Sequence, residues 1–428
     1  MTSSLPVRDA VGEAVAPERP SARGIARRPF PLISVAGLIA IGMTSSILWP
    51  HVAGKVGWAL PHDLWATMTA AHRLLHGDLA GLYTKPTGLI TLPGGALILV
   101  PVVAVIEAIG LPLRMPGPNA QPVSWLFAGP YQTAISGIAL FAADAIVEHL
   151  RVGQRKRAVL AVAGAVMLSN VSMRWGHPED AVAVGLLLYA VLDLANGKVG
   201  RSGWLFGAAV AVQPLVLLAL PVVLCVIKPR RVVGYLARAA APGVALLGAA
   251  AAANWNATYA AVTSQPNWPL VDHPTLWLPL ATHLPGGAVA AGPARVVAIV
   301  VACGCAAAVW RQRRSTLAGR DSEQWDPSTL LRVLWWIAVT LALRSLFEPV
   351  MVSYYIWPVL AVALVPATTN WRRLLATSVA AGTLTFASQV PWRSPWTWWL
   401  PVVAGLVVVL MLARPPDRRS LSAVTEPG

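Results

Sequence analysis

Apolar runs of about 20 residues, the length a helix needs to cross a bilayer, recur along almost the whole chain. The chain is 56% hydrophobic and only 12% charged, which is more apolar than soluble globular domains are. The sequence therefore predicts an all-α polytopic membrane protein. The runs cover, by residue number, 30–49, 88–112, 124–149, 158–173, 181–195, 203–227, 232–253, 287–310, 328–346, 354–368, 373–390 and 397–413.

Basic clusters between the runs predict how the chain threads the membrane. The formal net charge is +15, and Lys and Arg concentrate in short loops, as they do on the cytoplasmic side of membrane proteins. This scattered distribution argues against nucleic acid as a partner. With the clusters cytoplasmic, ten full crossings and two broken segments fit better than twelve plain spans. Both termini are then expected on the cytoplasmic side of the plasma (inner) membrane.

The two broken segments are 88–112 and 203–227. The first contains Pro93, Gly94, Gly95 and Pro101, and the second is interrupted at Gln213 and Pro214. Proline removes a backbone donor, and irregular backbone within a membrane is tolerated where protein covers it. A pair of half-helices entering and leaving on the cytoplasmic side is therefore predicted for 203–227.

The domain organisation follows from this threading. Residues 1–29 are predicted to be a disordered cytoplasmic tail, 30–413 the membrane domain, and 414–428 a second cytoplasmic tail. Two long outer loops, 57–87 and 254–286, collect polar residues on the outer face. Any chemistry is expected on that face.

The first outer loop contains "PHDLWATMTAAHRLLHG", in which apolar residues recur at helical spacing. An amphipathic helix lying in the headgroup layer fits this pattern, with Trp58 and Trp65 as interfacial anchors. Asp63 lies near its start, where two interpretations stay open. It is either a helix cap, the commoner role for such an Asp, or a catalytic acid or base.

A short turn, "MRWGHPEDA", should also face outward. Its Arg174, His177, Glu179 and Asp180 can bind a divalent cation or tune a base. A solvated turn with Asp180 as a helix cap explains the same residues equally well.

Two further groups complete the candidate residues of the outer face. Asp272 and His273 lie in the second outer loop among tryptophans that either belt the interface or pack against a sugar. Arg344 and Glu348 lie one helical turn apart at the outer end of an apolar run, where ionisable residues are costly and indicate function. Arg344 suits a phosphate because its guanidinium matches phosphate oxygens.

Two stretches of sequence resemble a known family. The first is "AAHRLLHGDLAGLYTKPTG" with the following "LPGGALILVP", and the second is "GHPEDAVAVGLLLYAVLDLANGKVGRSGWLFGAAVAVQPLVLLALPVVL". They are similar to GT-C superfamily glycosyltransferases, particularly actinobacterial polyprenol-phosphate-mannose-dependent mannosyltransferases. The chain departs from that pattern at His177, where Gln is common, and at Gln213, where Lys is common. The matching positions are Asp63, Leu75 to Gly77, Leu82, Tyr83 and Pro93.

The resemblance implies a GT-C-like fold and transfer of a sugar, mannose first among the candidates, from a polyprenyl-phosphate donor. The acceptor would be a lipid-linked or cell-envelope glycan on the outer face, and Asp63 would be the general base of an inverting displacement. For the donor phosphate we expect Arg344 first, then Arg174 and Lys85. No cofactor is expected, no metal ligand is assigned, and a divalent metal stays open. Candidate contacts to acceptor or substrate are His62, His177, Glu179, Asp180, Asp272, His273 and Glu348.

Two other functions explain part of the pattern. A lipid-linked sugar flippase or a solute transporter would account for the broken segments and for Arg344 and Glu348, but not for two large outer loops rich in Trp and His. An inactive relative acting as a scaffold is permitted by the departures at His177 and Gln213. Arabinofuranose in place of mannose would need only a different pocket shape.

Overall fold

The structure is a computed structural model that describes residues 28–48, 58, 62–84, 89, 91–113, 123–290, 292–317, 324–392 and 394–416. Nearly all of the two predicted tails lies outside these residues. Lys85 and the side chain of His62 also lie outside what the structure describes.

The described chain is a bundle of helices with one short pair of antiparallel strands. In the first half of the chain the helices are α1 (Pro29–Leu48), α2 (His62–Leu75), α3 (Pro93–Leu97), α4 (Val100–Ala108), α5 (Trp125–Ser136), α6 (Ile138–His149), α7 (Gln154–Ser169), α8 (Pro178–Ala195) and α9 (Val199–Val212). In the second half they are α10 (Leu220–Leu224), α11 (Pro229–Ala253), α12 (Trp255–Ser264), α13 (Ala294–Leu317), α14 (Pro327–Phe347), α15 (Trp357–Ala367), α16 (Trp371–Ala387) and α17 (Leu400–Ala413). The strands are β1 (His273–Pro274) and β2 (Val350–Met351), with His273 opposite Met351.

Seven helices among the described residues are long and apolar enough to cross a membrane. They confirm the predicted all-α polytopic class. The expected number of crossings was larger because it included shorter or more polar helices such as α8, α9 and α15. The seven cover Pro29–Leu48, Trp125–His149, Gln154–Trp175, Pro229–Ala253, Ala294–Gln312, Pro327–Phe347 and Pro395–Ala413.

The segment 203–227 breaks where the sequence predicts. α9 ends at Val212, Gln213 is extended (φ −149°, ψ 112°), and a 3-10 turn over Pro214–Ala219 leads into α10. A residue before proline avoids the helical region, which explains the conformation of Gln213. The loops before and after the segment meet again, because Lys198, Arg201, Arg230 and Arg231 line one common cavity. The chain therefore enters and leaves on one side of the bundle.

Basic side chains gather at that same side, called here the basic end. α7 and the π-helical turn that follows it (Asn170–Trp175) run from Gln154 toward His177, and α8 runs from His177 toward Lys198. Arg157 and Lys198 therefore both lie about a helix length from His177. Near Arg157 the charges form a network with Arg28 and two acids of α6. Arg28 contacts Asp144 at 2.8 Å and Glu148 at 2.5 Å, and Arg157 contacts Asp144 at 2.6 Å.

Trp58 is a core residue and not the interfacial anchor that the sequence predicts. Its side chain is fully buried, and its indole Nε1 donates to Thr133 Oγ1 at 3.1 Å. Two glycines make room for the ring, because a Cβ on Gly42 or Gly129 would come within 2.7 Å and 2.4 Å of it. A single sequence does not reveal that these glycines face one tryptophan.

Candidate functional site

Helix α2 brings Asp63 to the end of the bundle opposite the basic end, called here the site end. Leu64, Met68 and Ala71 form the buried face of α2 and pack against α3 and α4. The helix and its apolar face are therefore as predicted, while its place in the headgroup layer stays a prediction. Asp63 lies in its first turn, with its carboxylate 3.5 Å from Nε2 of His177 and about half exposed. A helix of the first outer loop thus meets the turn before α8.

His177 occupies a turn that the backbone shapes for it. A π-helical turn, Asn170–Trp175, ends at Gly176, whose φ of 64° lies in the left-handed region that glycine adopts freely. The imidazole stacks on Tyr354 with ring centroids 4.0 Å apart. Its Nδ1 lies 2.6 Å from Oε1 of Glu179. His177 therefore bridges two carboxylates, Glu179 on one side and Asp63 on the other.

The two carboxylates control the charge of this histidine. Burial alone lowers the pKa of His177, but the charges of Glu179 and Asp63 and their hydrogen bonds outweigh burial and raise that pKa to about 10. At neutral pH the ring is then an imidazolium. It lowers the net negative charge of the cluster and holds the Asp63 carboxylate beside it.

Asp180 and Arg344 lie deeper at the site end. Asp180 is fully buried and accepts a hydrogen bond from Nε2 of Gln213 at 2.6 Å. It is therefore no part of a solvated turn, which was one of the two interpretations of the sequence. The guanidinium carbon of Arg344 lies 3.6 Å from the centroid of the Tyr355 ring. Nη1 of Arg344 has no hydrogen-bond partner among the described residues, although it is buried.

Glu348 is paired with Arg295, which the sequence analysis missed. Nη2 and Nε of Arg295 donate to the two carboxylate oxygens of Glu348 at 2.6 Å and 3.1 Å. Nη1 of Arg295 also donates to Gln265 at 2.5 Å. The one-turn spacing of Arg344 and Glu348 suggested that they pair with each other. In the structure Glu348 forms its salt bridge with Arg295, in the first turn of α13. A lone arginine at the outer end of the run 287–310 was the available signal for this partner.

These groups border a cavity of about 550 Å³, called here the site cavity. Both polar and apolar side chains line it. The polar residues of the lining are Thr91, His177, Glu179, Gln213, Gln265, Asn267, Arg295, Arg344, Glu348, Tyr354 and Tyr355. The apolar residues of the lining are Pro214, Leu215, Leu217, Leu218, Leu220, Pro221, Val262, Pro266, Ala298, Ile299, Ala302, Leu343 and Phe347.

The structure assembles part of the predicted set. His177, Glu179, Arg344 and Glu348 line the site cavity, while Asp63 and Asp180 contact lining residues from just outside it. Because Lys85 and the side chain of His62 are outside the described residues, they have no place in this comparison.

Three further candidates also lie outside the lining of the site cavity. Arg174 is half-buried and absent from its lining. His273 stacks on Trp398 at 3.6 Å, and its Nδ1 lies 2.7 Å from the Trp392 carbonyl oxygen. Asp272, its neighbour in the chain, is also absent from the lining. These residues were proposed from composition and loop position, which do not specify which side chains face one cavity.

The arrangement suits a molecule with an anionic head and an apolar tail. Arg344 offers a buried cation with a free N–H, and guanidinium groups match phosphate oxygens. The half-exposed carboxylate of Asp63 can accept a proton, and it lies next to an ionised histidine. Among the described residues, His72, His76 and Glu107 bring three possible metal ligands within 4.8 Å of one another, and these residues do not line the site cavity.

No known family profile matches the chain, and no curated protein sequence matches it.

Proposed function

We propose that this protein is an integral membrane glycosyltransferase that uses a polyprenyl-phosphate sugar as donor. The sugar is mannose in the first instance, and the acceptor is a lipid-linked or cell-envelope glycan. The site end faces outward from the plasma membrane in this proposal, because the basic clusters lie at the other end and such clusters stay in the cytoplasm. Residues of the two outer loops would then meet the donor at the level of the headgroups.

The observation that carries the proposal is the amphiphilic lining of the site cavity, which includes Arg344. A polyprenyl-phosphate sugar has the same distribution of properties: an apolar chain, a charged phosphate and a polar ring. The apolar wall, which includes Leu217 and Ile299, would hold the first isoprene units. The Nη1 of Arg344 would donate to the phosphate, which would give this buried N–H group the hydrogen-bond partner that it lacks among the described residues.

Direct displacement with inversion accounts for the chemistry. The oxygen of an acceptor hydroxyl attacks C1 of the sugar and forms the new glycosidic bond. The bond from C1 to the phosphate oxygen breaks, and its electron pair leaves with the polyprenyl phosphate. Asp63 takes the hydroxyl proton, and Arg344 stabilises the charge that develops on the phosphate. One base and one cation suffice for this step.

His177 is a positioning residue in this scheme. It lies between Asp63 and Glu179, and its positive charge favours the ionised carboxylate that a base needs. Tyr354 stacks on its ring and fixes the orientation. Glu348 and Arg295 neutralise each other at the neighbouring wall of the site cavity, and we assign them to its shape and to contacts with the sugar.

The test is sugar transfer from radiolabelled polyprenyl-phosphate-mannose to lipid acceptors in membranes that contain the protein. Asp63→Asn should lower product by about 100-fold or more, since general-base catalysis contributes about 10²–10⁴-fold. Asp78→Asn is the matched control. Asp78 belongs to the same outer loop, is exposed, and accepts a hydrogen bond from the Gly81 amide. It should retain wild-type activity at equal protein level.

Equal product from wild type and Asp63→Asn would remove Asp63 from the chemistry. Movement of the intact labelled donor across proteoliposome membranes, with no new glycosidic bond, would overturn the proposal in favour of a lipid-linked sugar flippase. Donors carrying arabinofuranose in place of mannose, run in parallel, identify the sugar.

A further inference from the structure

A second polar cluster lies on the other end of helix α2, away from the site cavity. His72 lies in the last turn of α2, His76 follows the helix directly, and its amide donates to the His72 carbonyl at 3.1 Å. Glu107 lies at the end of α4. His72 Nδ1 contacts one oxygen of the Glu107 carboxylate, and His76 Nε2 lies 3.0 Å from the other oxygen. The two imidazole rings are 4.6 Å apart between centroids. One carboxylate and two imidazoles thus converge from two separate helices.

Packing fixes the two helices that carry these groups. Ala71, next to His72, and Ile106, next to Glu107, are both fully buried in one apolar cluster. Trp65 adds a second link, because its indole N–H donates to the carbonyl of Leu113 at 2.8 Å. The cluster itself is only partly covered, with side-chain exposures of 43% for His72, 56% for His76 and 26% for Glu107. The backbone is therefore held in place while solvent reaches the ligand atoms.

We propose that His72, His76 and Glu107 form a binding site for a divalent transition metal, with zinc as the best fit. The three ligand atoms lie within 4.8 Å of one another. Zinc binds imidazole nitrogen and carboxylate oxygen at about 2.0–2.2 Å, which places tetrahedral ligand atoms about 3.4 Å apart. Movements of the side chains within their present arrangement reach that spacing. Their exposure leaves the fourth position to water.

Imidazole and carboxylate ligands favour zinc and its neighbours over calcium or magnesium, which prefer sites made of oxygen alone. The metal would tie α2 to α4. Since Asp63 precedes His72 by nine residues on α2, the bound metal sits about 14 Å along the helix from the proposed base. The site does not depend on sugar transfer, and metal binding tests it whatever reaction the protein catalyses.

The test is a titration of the purified, metal-stripped full-length protein with Zn²⁺ in competition with a chromophoric chelator. We expect one equivalent bound, with affinity lowered at least about tenfold by His72→Gln and by Glu107→Gln. His283→Gln is the matched control, because His283 is an exposed histidine of the second outer loop that is far from this cluster in the chain. It should bind zinc as tightly as the wild type does.

The absorption spectrum of Co²⁺ bound to the wild-type protein gives a readout that needs no variant. Four-coordinate nitrogen and oxygen ligation produces an intense visible band, whereas hydrated six-coordinate Co²⁺ produces a weak one. Zinc affinity unchanged in His72→Gln and Glu107→Gln, or only the weak spectrum in the wild type, would overturn the metal site. The cluster would then be a set of hydrogen bonds between the Glu107 carboxylate and two imidazoles.

Discussion

Arg344 and Arg174 both lie near the site end of long apolar helices, but only Arg344 lines the site cavity. Replacing Arg344 by Gln should lower kcat/KM for the polyprenyl-phosphate donor by about 10–100-fold, because a charge-assisted hydrogen bond contributes about 1.5–3 kcal/mol. Arg174→Gln should change it by less than about twofold, since Arg174 does not line the site cavity and would donate no hydrogen bond to a phosphate there. Steady-state kinetics with varied donor concentration measure both values.

A further variant separates charge from geometry at this position. Arg344→Lys keeps the charge but loses the planar group that stacks on Tyr355 at 3.6 Å, so we expect intermediate activity. Equal losses in Arg344→Gln and Arg174→Gln would contradict the assignment of the phosphate to Arg344. So would full activity in Arg344→Gln.

Individual residues of the candidate site could be predicted where an ionisable side chain lies at a position that is energetically unfavourable for it. An arginine and a glutamate at the end of an apolar helix indicate function because burying charge in a membrane is unfavourable. The partners of those residues were not predictable. Arg295 joins Glu348 across 53 positions of the chain, and Gln213 joins Asp180 across 33. Such contacts depend on how helices pack, which a single sequence does not reveal.

Among the helices, the contact between α3 and α9 places the strongest steric demand on one residue. A Cβ on Gly94 would lie 2.3 Å from the carbonyl oxygen of Ala211, two residues before Gln213. Gly94→Ala should therefore push α3 away from the end of α9, at a cost of about 1–3 kcal/mol, and should weaken the hydrogen bond from Gln213 to Asp180. We expect the variant to unfold at a lower temperature in detergent, as measured by tryptophan fluorescence. We also expect it to have lower activity.

Gly248→Ala is the control for this effect. Gly248 lies within α11, and a Cβ there would meet no atom within 4 Å. Alanine favours a helix by about 1 kcal/mol over glycine, so this variant should be equally or more stable. A Gly94→Ala protein with wild-type stability and activity would show that α3 and α9 are not in close contact.

The ends of helices could be predicted from neighbouring residues in the sequence more often than the contacts between helices could. Pro214 predicts the break after α9, and the spacing of Leu64 and Met68 predicts the buried face of α2. Trp58 shows the limit of such arguments. Tryptophan near the end of an apolar run is typical of a membrane interface, yet this one is enclosed by glycines from α1 and α5.

At the scale of the whole molecule, the basic loops and the candidate site lie at opposite ends of the bundle. α8 connects the two ends directly, since His177 precedes its first residue and Lys198 follows its last residue by three positions. Basic loops stay on the cytoplasmic side because their translocation is disfavoured. In the proposed orientation, this distribution of basic residues places the site cavity on the outer side of the membrane.

This orientation predicts which positions a membrane-impermeant maleimide reaches in intact cells. In a protein whose Cys225, Cys303 and Cys305 are replaced by Ser, Asp78→Cys should be labelled from outside and Arg230→Cys only after the membrane is permeabilised. Both native residues are exposed, so access to the side chain does not limit either reaction. Labelling of Arg230→Cys in intact cells, with Asp78→Cys protected, would reverse the orientation and place the site cavity in the cytoplasm. A lipid-linked donor on the outer leaflet would then be excluded, and an enzyme with this site would need a donor presented on the inner leaflet.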